Sequence, residues 1–227
     1  MAHDSKEIDE PAPAKLKLYN YWRSSCSQRV RIVLNLKGLD YEYKAVNLMK
    51  GEHFHPEYEK LNPIHFVPTL VDGDIVVGDS YAVILYLEDK YPQHPLLPKD
   101  LKKKALNLQV ASIVSSSIQP FHGVPRLSFV EAKFNDDERL KWTQHYLGKG
   151  FTALEKLLKD VPGKYATGDE VLLADVFLVP QVHAAITRFG IDMTAYPRLS
   201  RAFAALCELP AFQDALPERQ PDCPSTA

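Results

Sequence analysis

The hydrophobic pattern of this chain changes period once, at the proline-rich stretch Pro92 to Pro98. That change bounds what the chain can fold into. Before it, strand-like and helix-like runs alternate. Lys17–Tyr21 reads as a strand. Ser27–Lys37 reads as an amphipathic helix, with Val30, Val33, Leu34 and Lys37 on one face and Gly38 as a C′ glycine. A strand over Tyr41–Asn47 follows, then a polar stretch from Gly51 to His65 with three histidines. Val67–Val71 reads as a strand, Asp72-Gly73 as a hairpin turn into Ile75-Val76-Val77, and Gly78-Asp79-Ser80 as the opening of a helix ending near Tyr91-Pro92. The order βαβ then ββα is an α/β sandwich of roughly 80 residues. After the prolines, Leu101–Gln119, Asp136–Leu158, Ala174–Arg188 and Leu199–Leu209 carry helical spacing with almost no strand signal. The expected organisation is a polar leader (1–14), an α/β domain (15–92), a linker (93–98), an all-α domain (99–216) and a polar tail (217–227).

Composition narrows the function classes. An apolar fraction of 45% is enough to build cores in 227 residues. A net charge of −2 argues against a nucleic-acid footprint or a polybasic membrane patch, and no apolar run spans a bilayer. Residues 1–14 lack the basic and apolar regions of a signal peptide. Cys26, Cys207 and Cys223 are far apart and odd in number, which points to a reducing, cytoplasmic location. His53, His55 and His65 have no fourth partner at zinc-site spacing, so no metal is expected.

The chemistry concentrates where the first strand hands over to the first helix. Ser24-Ser25-Cys26-Ser27 places three hydroxyls and a thiol beside the free N–H groups and positive dipole end of that helix. Such a corner favours an anion, a thiolate among them. A serine at this place is also an ordinary N-cap. Downstream, Val67-Pro68 opens a strand, where a cis X-Pro bond would turn the Val67 backbone toward a ligand. Asp79-Ser80 precedes a helix whose N-terminus suits a carboxylate.

Together these segments resemble the glutathione transferases. Ser24-Ser25-Cys26-Ser27-x-Arg29-Val30-Arg31 is similar to the motif of the zeta class, the maleylacetoacetate isomerases, and especially to plant members. Leu61-Asn62-Pro63, Val67-Pro68-Thr69-Leu70, Ile118-Gln119-Pro120, Gly168-Asp169-Glu170 and Arg219-Gln220-Pro221-Asp222 extend the likeness from about Leu16 to Asp222. The resemblance implies a thioredoxin-like domain followed by the helical domain, glutathione as cofactor, a small-molecule substrate and a homodimer paired partly through Tyr81, Ile84, Leu85 and Tyr86.

The same resemblance implies roles. Ser24 would hydrogen-bond the glutathione sulfur, with Ser25 and Cys26 beside it as the rest of the catalytic set. Ser27, Gln28, Arg29 and Pro68 would belong to the glutathione-binding set as well. Val67, next to Pro68, would pair with the cysteinyl part, Asp79 and Ser80 would hold the γ-glutamyl end, and His53 would lie near the glycyl carboxylate. Gln119 would face the cleft from the helical domain, and Arg188 would orient a substrate carboxylate. The implied reaction is cis–trans isomerisation of maleylacetoacetate in tyrosine breakdown, with a side activity on α-halo acids. Three positions depart from the family pattern: Gln28 replaces a ring residue, His122-Gly123-Val124-Pro125 replaces a polar stretch, and Leu172 replaces a Ser or Thr cap that Asp169 or Asp175 would have to make good. Two other readings stand: Cys26 itself as nucleophile in a redox thiol transferase resembling dehydroascorbate reductases, and a non-enzymatic binding module.

Overall fold

The computed structural model describes residues 15–225, so the expected leader over 1–14 lies outside the described residues. Strand β1 (Leu16–Asn20) runs parallel to β2 (Tyr41–Ala45) and antiparallel to β3 (Thr69–Asp72), which pairs antiparallel with β4 (Ile75–Gly78). The order is β2-β1-β3-β4. A parallel pair needs a crossover, and helix α1 (Ser25–Leu36) supplies it. The antiparallel pair needs only a tight turn, where Gly73 takes φ 64°. A one-turn helix α2 (Pro56–Glu59) and two 3₁₀ turns fill the polar stretch, and α3 (Ser80–Lys90) closes this half.

The remaining elements are α4 (Leu101–Ser112), α5 (Val124–Lys133), α6 (Asp136–Leu158), α7 (Leu173–Phe189), α8 (Pro197–Cys207) and the short α9 (Pro210–Gln213). Among the described residues no helix is long and apolar enough to cross a membrane. α1 packs against both α3 and α7, which explains its apolar residues all round: Val30, Ile32, Val33 and Leu34 are fully buried. One contiguous core therefore runs from Leu16 through α1 and α7 to Ala215. Phe177 of α7 marks the seam, with the Arg29 guanidinium 4.6 Å from its ring centroid and the Tyr81 ring at 5.1 Å.

The structure differs from the expectations at several points. α1 begins at Ser25 rather than Ser27, because Ser24 caps it. β3 begins at Thr69, after Pro68. Leu101–Gln119 is not one α-helix: after Ser112 the backbone widens into a π turn over Ile113–Ile118, then tightens into a 3₁₀ turn at Gln119–His122. Ser115 and Ser116 donate back to the Ser112 carbonyl at 3.2 and 2.7 Å, competing with the regular ladder. Gly150 on α6 gives Ile118 its room, since a Cβ there would overlap the Ile118 side chain. α5 was not anticipated at all. Pro125 near its start and the spacing of buried Leu127 and Val130 are the signals that would have found it.

Two capping expectations resolve. The N-cap Leu172 has no side-chain acceptor, and Asp175 makes good the loss by accepting from Leu172 N–H at 2.9 Å and Ala166 N–H at 2.8 Å. Burial raises the Asp175 carboxyl to about 6. Asp169 instead accepts from Lys164 N–H at 2.8 Å. The segment after Pro217, read as a polar tail, folds back over the first half: Gln220 is buried, and Asp222 accepts from the Trp22 N–H at 3.0 Å and from the Tyr43 hydroxyl.

Candidate active site

A cleft of about 300 Å³ opens between the β1–α1 corner, the β3 and α3 starts, and the segment from Ser115 to Arg126. The corner is built locally. Ser24 N–H donates to the Tyr21 carbonyl at 3.0 Å, closing a turn, and Ser24 Oγ accepts the Ser27 N–H at 3.2 Å. Ser24 is thus the N-cap of α1 as well as a wall of the cleft. Its acceptor side is engaged by the helix, and its proton stays free to donate. The N–H groups of Ser25 and Cys26 lie in the first turn, where the helix offers them no acceptor. Ser25 is buried, while Ser24 and Cys26 are half-buried.

The structure brings together Ser24, Ser25, Cys26, His53, Val67, Asp79, Ser80, Gln119 and Arg188, all of which line this cleft. It does not bring Ser27, Gln28, Arg29 or Pro68 to its surface. Ser27 is fully buried beneath the corner, with its Oγ 3.4 Å from the Tyr21 N–H. Gln28 faces a second cavity of about 200 Å³ behind the corner, which Ser25 and Arg188 also line. Arg29 lies one layer down. It is 1% exposed and donates to Ser80 Oγ at 3.2 Å, while its Nε and Nη2 have no partner. Burial holds its pKa below the usual arginine value, and Cys26 and Asp79 oppose that. The Val67–Pro68 peptide bond is cis, and Val67 is the member of the pair that lines the cleft.

At the α3 end, Asp79 rather than Ser80 is the cap. Asp79 Oδ1 accepts from Tyr81 N–H at 2.8 Å and Ala82 N–H at 3.2 Å. Asp79 sits at φ 72°, a left-handed value that costs a non-glycine residue on the order of 1 kcal/mol or more. His53 is buried with its Nδ1 unpartnered, and burial, then neighbouring His65, lower its pKa. Among the described residues no group of three or more His, Cys, Asp or Glu side chains could hold a metal ion.

The sequence resemblance points to two arginines at the site, Arg29 and Arg188; only Arg188 lines the cleft, and two others join it there. Arg23 from the corner and Arg126 from α5 line the same space as Arg188 from α7. Burial, and then repulsion from Arg23, lower Arg188 to about 10, so it remains charged at neutral pH. His122 lines the cleft floor, fully buried, with Nε2 against Gln181 and Nδ1 unpartnered. Burial, and then Arg188, hold its pKa down near about 3, so it is neutral.

The matches to known proteins follow this geometry. Residues 18–95 match the family described as glutathione S-transferase, N-terminal domain, and residues 144–205 match its C-terminal domain. A zeta-class glutathione S-transferase of Euphorbia esula is 59% identical over 218 residues, covering 96% of this chain and 97% of that protein. The chain belongs to the zeta class of the glutathione S-transferases. Among solved structures of this family, a bacterial maleyl pyruvate isomerase of the zeta class superposes with a TM-score of 0.89 at 42% identity, covering 92% of this chain and all of that one. A maleylacetoacetate isomerase from Anaeromyxobacter dehalogenans, solved with GSH bound in its active site, gives a TM-score of 0.84 at 40% identity, covering 92% of this chain and 98% of that one.

Proposed function

We propose that this enzyme catalyses the glutathione-dependent cis–trans isomerisation of maleylacetoacetate to fumarylacetoacetate, in tyrosine and phenylalanine breakdown. One observation carries the reading: Arg23, Arg126 and Arg188 line the same cleft as a serine-capped helix N-terminus. Such a cleft suits a substrate bearing carboxylates next to a group that must hold negative charge on sulfur.

The residues present fit glutathione, an acidic tripeptide with a thiol. Two helix N-termini, at Ser25 and Ser80, open on the cleft. The unpartnered Arg29 donors behind Ser80 favour an anion there, and the unpartnered His53 Nδ1 offers a further polar contact. Ser80 and Asp79 are assigned to the γ-glutamyl end, Val67 to the cysteinyl backbone, and His53 and Gln119 to the remainder of the tripeptide. Bound glutathione supplies a thiolate that adds reversibly to a double bond conjugated with a carbonyl, which frees that bond to rotate.

The chain's own residues make this possible at neutral pH. A free thiol has a pKa near about 8.5, and a lowering of about 2 units corresponds to about 2.7 kcal/mol. Ser24 supplies part of that by donating its free hydroxyl proton to the sulfur. The α1 terminus supplies the rest through its N–H groups and dipole. Arg188, with Arg23 and Arg126 near the mouth, orients substrate carboxylates by bidentate contact. His122 stays neutral and adds no further charge to the floor. Short α-halo acids, which combine a carboxylate for Arg188 with a displaceable halide, are proposed as further substrates.

We also place the enzyme in the cytoplasm as a homodimer. Three residues of the expected dimer surface have partners within this chain: Ile84 is in the core, Tyr81 meets Phe177, and Tyr86 donates to Asp72 at 2.8 Å. Leu85 is half-buried, and Ile75 and Val76 on β4 are among the exposed apolar residues that a second copy could cover. Gel filtration showing a monomer at micromolar concentration would argue against pairing. The function itself is tested by following maleylacetone isomerisation with and without glutathione. Strict dependence on glutathione is expected, and turnover without it would overturn the assignment.

A further inference from the structure

The carboxyl-terminal segment reaches the reactive corner from behind. Trp22, two residues before Ser24, is held through both of its backbone polar groups. Its N–H donates to Asp222 Oδ2 at 3.0 Å, and its carbonyl accepts from Arg31 Nη2 at 3.1 Å. Arg31 is fully buried, and it ties the corner to the same segment: Nη2 and Nε donate to the Ala215 carbonyl at 3.2 and 3.4 Å. Its Nη1 donates to Asn20 Oδ1 at 3.0 Å and to the Tyr21 carbonyl at 3.4 Å, the carbonyl that also closes the turn onto Ser24. The segment is itself braced. Gln220 is buried and donates to the Asp214 and Leu216 carbonyls at 2.8 Å each, and Asp222 also accepts from the Tyr43 hydroxyl on β2.

We propose that residues 214–222 form a positioning strap for the thiolate corner, in which Asp222 holds the Trp22 N–H and Arg31 holds the Trp22 carbonyl, and so together fix where Ser24 points. The inference rests on the reading of Ser24 as the hydrogen-bond donor to the glutathione sulfur. The strap touches neither substrate nor sulfur and acts only through backbone geometry. The physical argument is one of precision: a hydroxyl that must meet a sulfur loses its effect with displacements of about 1 Å, which can cost about 100-fold in rate. A turn held only by its own Tyr21–Ser24 hydrogen bond would not supply that precision. An acceptor on the Trp22 N–H and a buried guanidinium on the Trp22 carbonyl do so.

The test compares wild type, D222A and D222N by ultraviolet titration of the bound glutathione thiol. Asn retains an acceptor for the Trp22 N–H and a polar partner for Tyr43, whereas Ala removes both. D222A is expected to raise the ionisation midpoint by about one unit, about a threefold loss of thiolate at neutral pH for a midpoint moving from about 6.5 to about 7.5, and to lower kcat more than it raises the KM for glutathione. D222N is expected to stay near wild type. A D222A midpoint equal to wild type, whatever its melting temperature, overturns the proposal and leaves the strap a purely structural element. Hydrogen exchange of residues 20–27 separates this from a failure of the site reading. Should wild type itself show no lowered midpoint, the Ser24 assignment fails, and exchange alone judges the strap. Exchange at the Ser24 and Ser25 amides about tenfold faster in D222A supports it, and unchanged exchange refutes it. Y43F, which keeps the Trp22 contact and only frees Asp222, serves if D222A does not fold: an intermediate rise in midpoint or exchange supports the strap, and no change in either counts against it.

Discussion

Arg29 and Ser80 meet at 3.2 Å beneath the cleft, and that contact joins the starts of the two helices that frame it. The guanidinium occupies the acceptor side of the Ser80 hydroxyl and leaves two of its own nitrogens unpartnered behind the α3 terminus. Ser80→Ala should therefore strand a third donor. Losing a hydrogen bond to a buried charge costs about 1.5–3 kcal/mol, felt here first in stability and then as a raised KM for glutathione. Arg29→Lys, with one compact ammonium in place of a fork, should do the same and also lose the contact with Phe177. Denaturant melts together with glutathione KM measurements check both, and an unchanged KM in either variant would refute the link.

Ser24 has two duties that one substitution separates from Cys26. Ser24→Ala removes the cap on Ser27 N–H, at about 1 kcal/mol, and also the donor to sulfur, so isomerase activity should fall by about 100-fold near neutral pH. Cys26→Ala should retain most activity. The reverse pattern, with the cysteine variant dead and the serine variant active, would move the chemistry to Cys26 as a redox nucleophile.

Arg188→Lys keeps a charge but loses the planar fork. The KM for carboxylate substrates should rise about tenfold or more, with the KM for glutathione little changed. The check is steady-state kinetics with each substrate varied in turn. Equal effects on both would show that Arg188 serves glutathione.

Two buried groups set opposing slopes in acid. The folded pKa of Asp175, about 6, lies above its ordinary value, so its stabilising contribution is complete below about 4 and is lost as pH rises through about 6. The folded pKa of His122, about 3, lies below its ordinary value, so its contribution is present above about 6.5 and is lost as pH falls toward about 3. Relative to wild type, D175N should lose ground as pH falls from about 6 to 4, and H122N should gain it, each by up to about 1.4 kcal/mol per pH unit. Urea unfolding at several pH values measures both slopes, and parallel curves would refute the assignments.

Gly150→Ala should destabilise by about 1–3 kcal/mol, because the added methyl meets Ile118 in a filled core. The π turn carrying Ser115, with Gln119 directly after it, lies against it, so activity should fall more than the melting temperature alone explains. A variant as active and as stable as wild type would show that the contact can relax.

The first half of the fold was legible because each element has its own short-range signal: alternating residues in β1, a glycine after α1, Asp-Gly at the hairpin. Helix α6 was legible over Asp136–Leu158 because its apolar face repeats over many turns. The features that eluded sequence reading depend on distant partners. Nothing in Leu101–Gln119 announces a π turn, since the room for it comes from Gly150 on another helix. Arg23 and Arg126 carry no local signal of a site, and only the folded cleft puts them beside Arg188. Asp222 looked like part of a loose end because its partners, Trp22 and Tyr43, lie far away in sequence. At the candidate site, residue types were readable from the corner motif, but depth was not: Ser27 and Arg29 share that motif and turn out to support the cleft from beneath.

Phe177 gives the two halves a common hinge pin. Its ring carries the Arg29 cation that braces Ser80 on the cleft wall, yet it belongs to the helical half and does not line the cleft. Losing that ring would cost stability, about 3–5 kcal/mol for a buried Phe→Ala, and would also take away the face on which the Arg29 guanidinium rests. A survey of variants confined to residues bordering the cleft would pass it by.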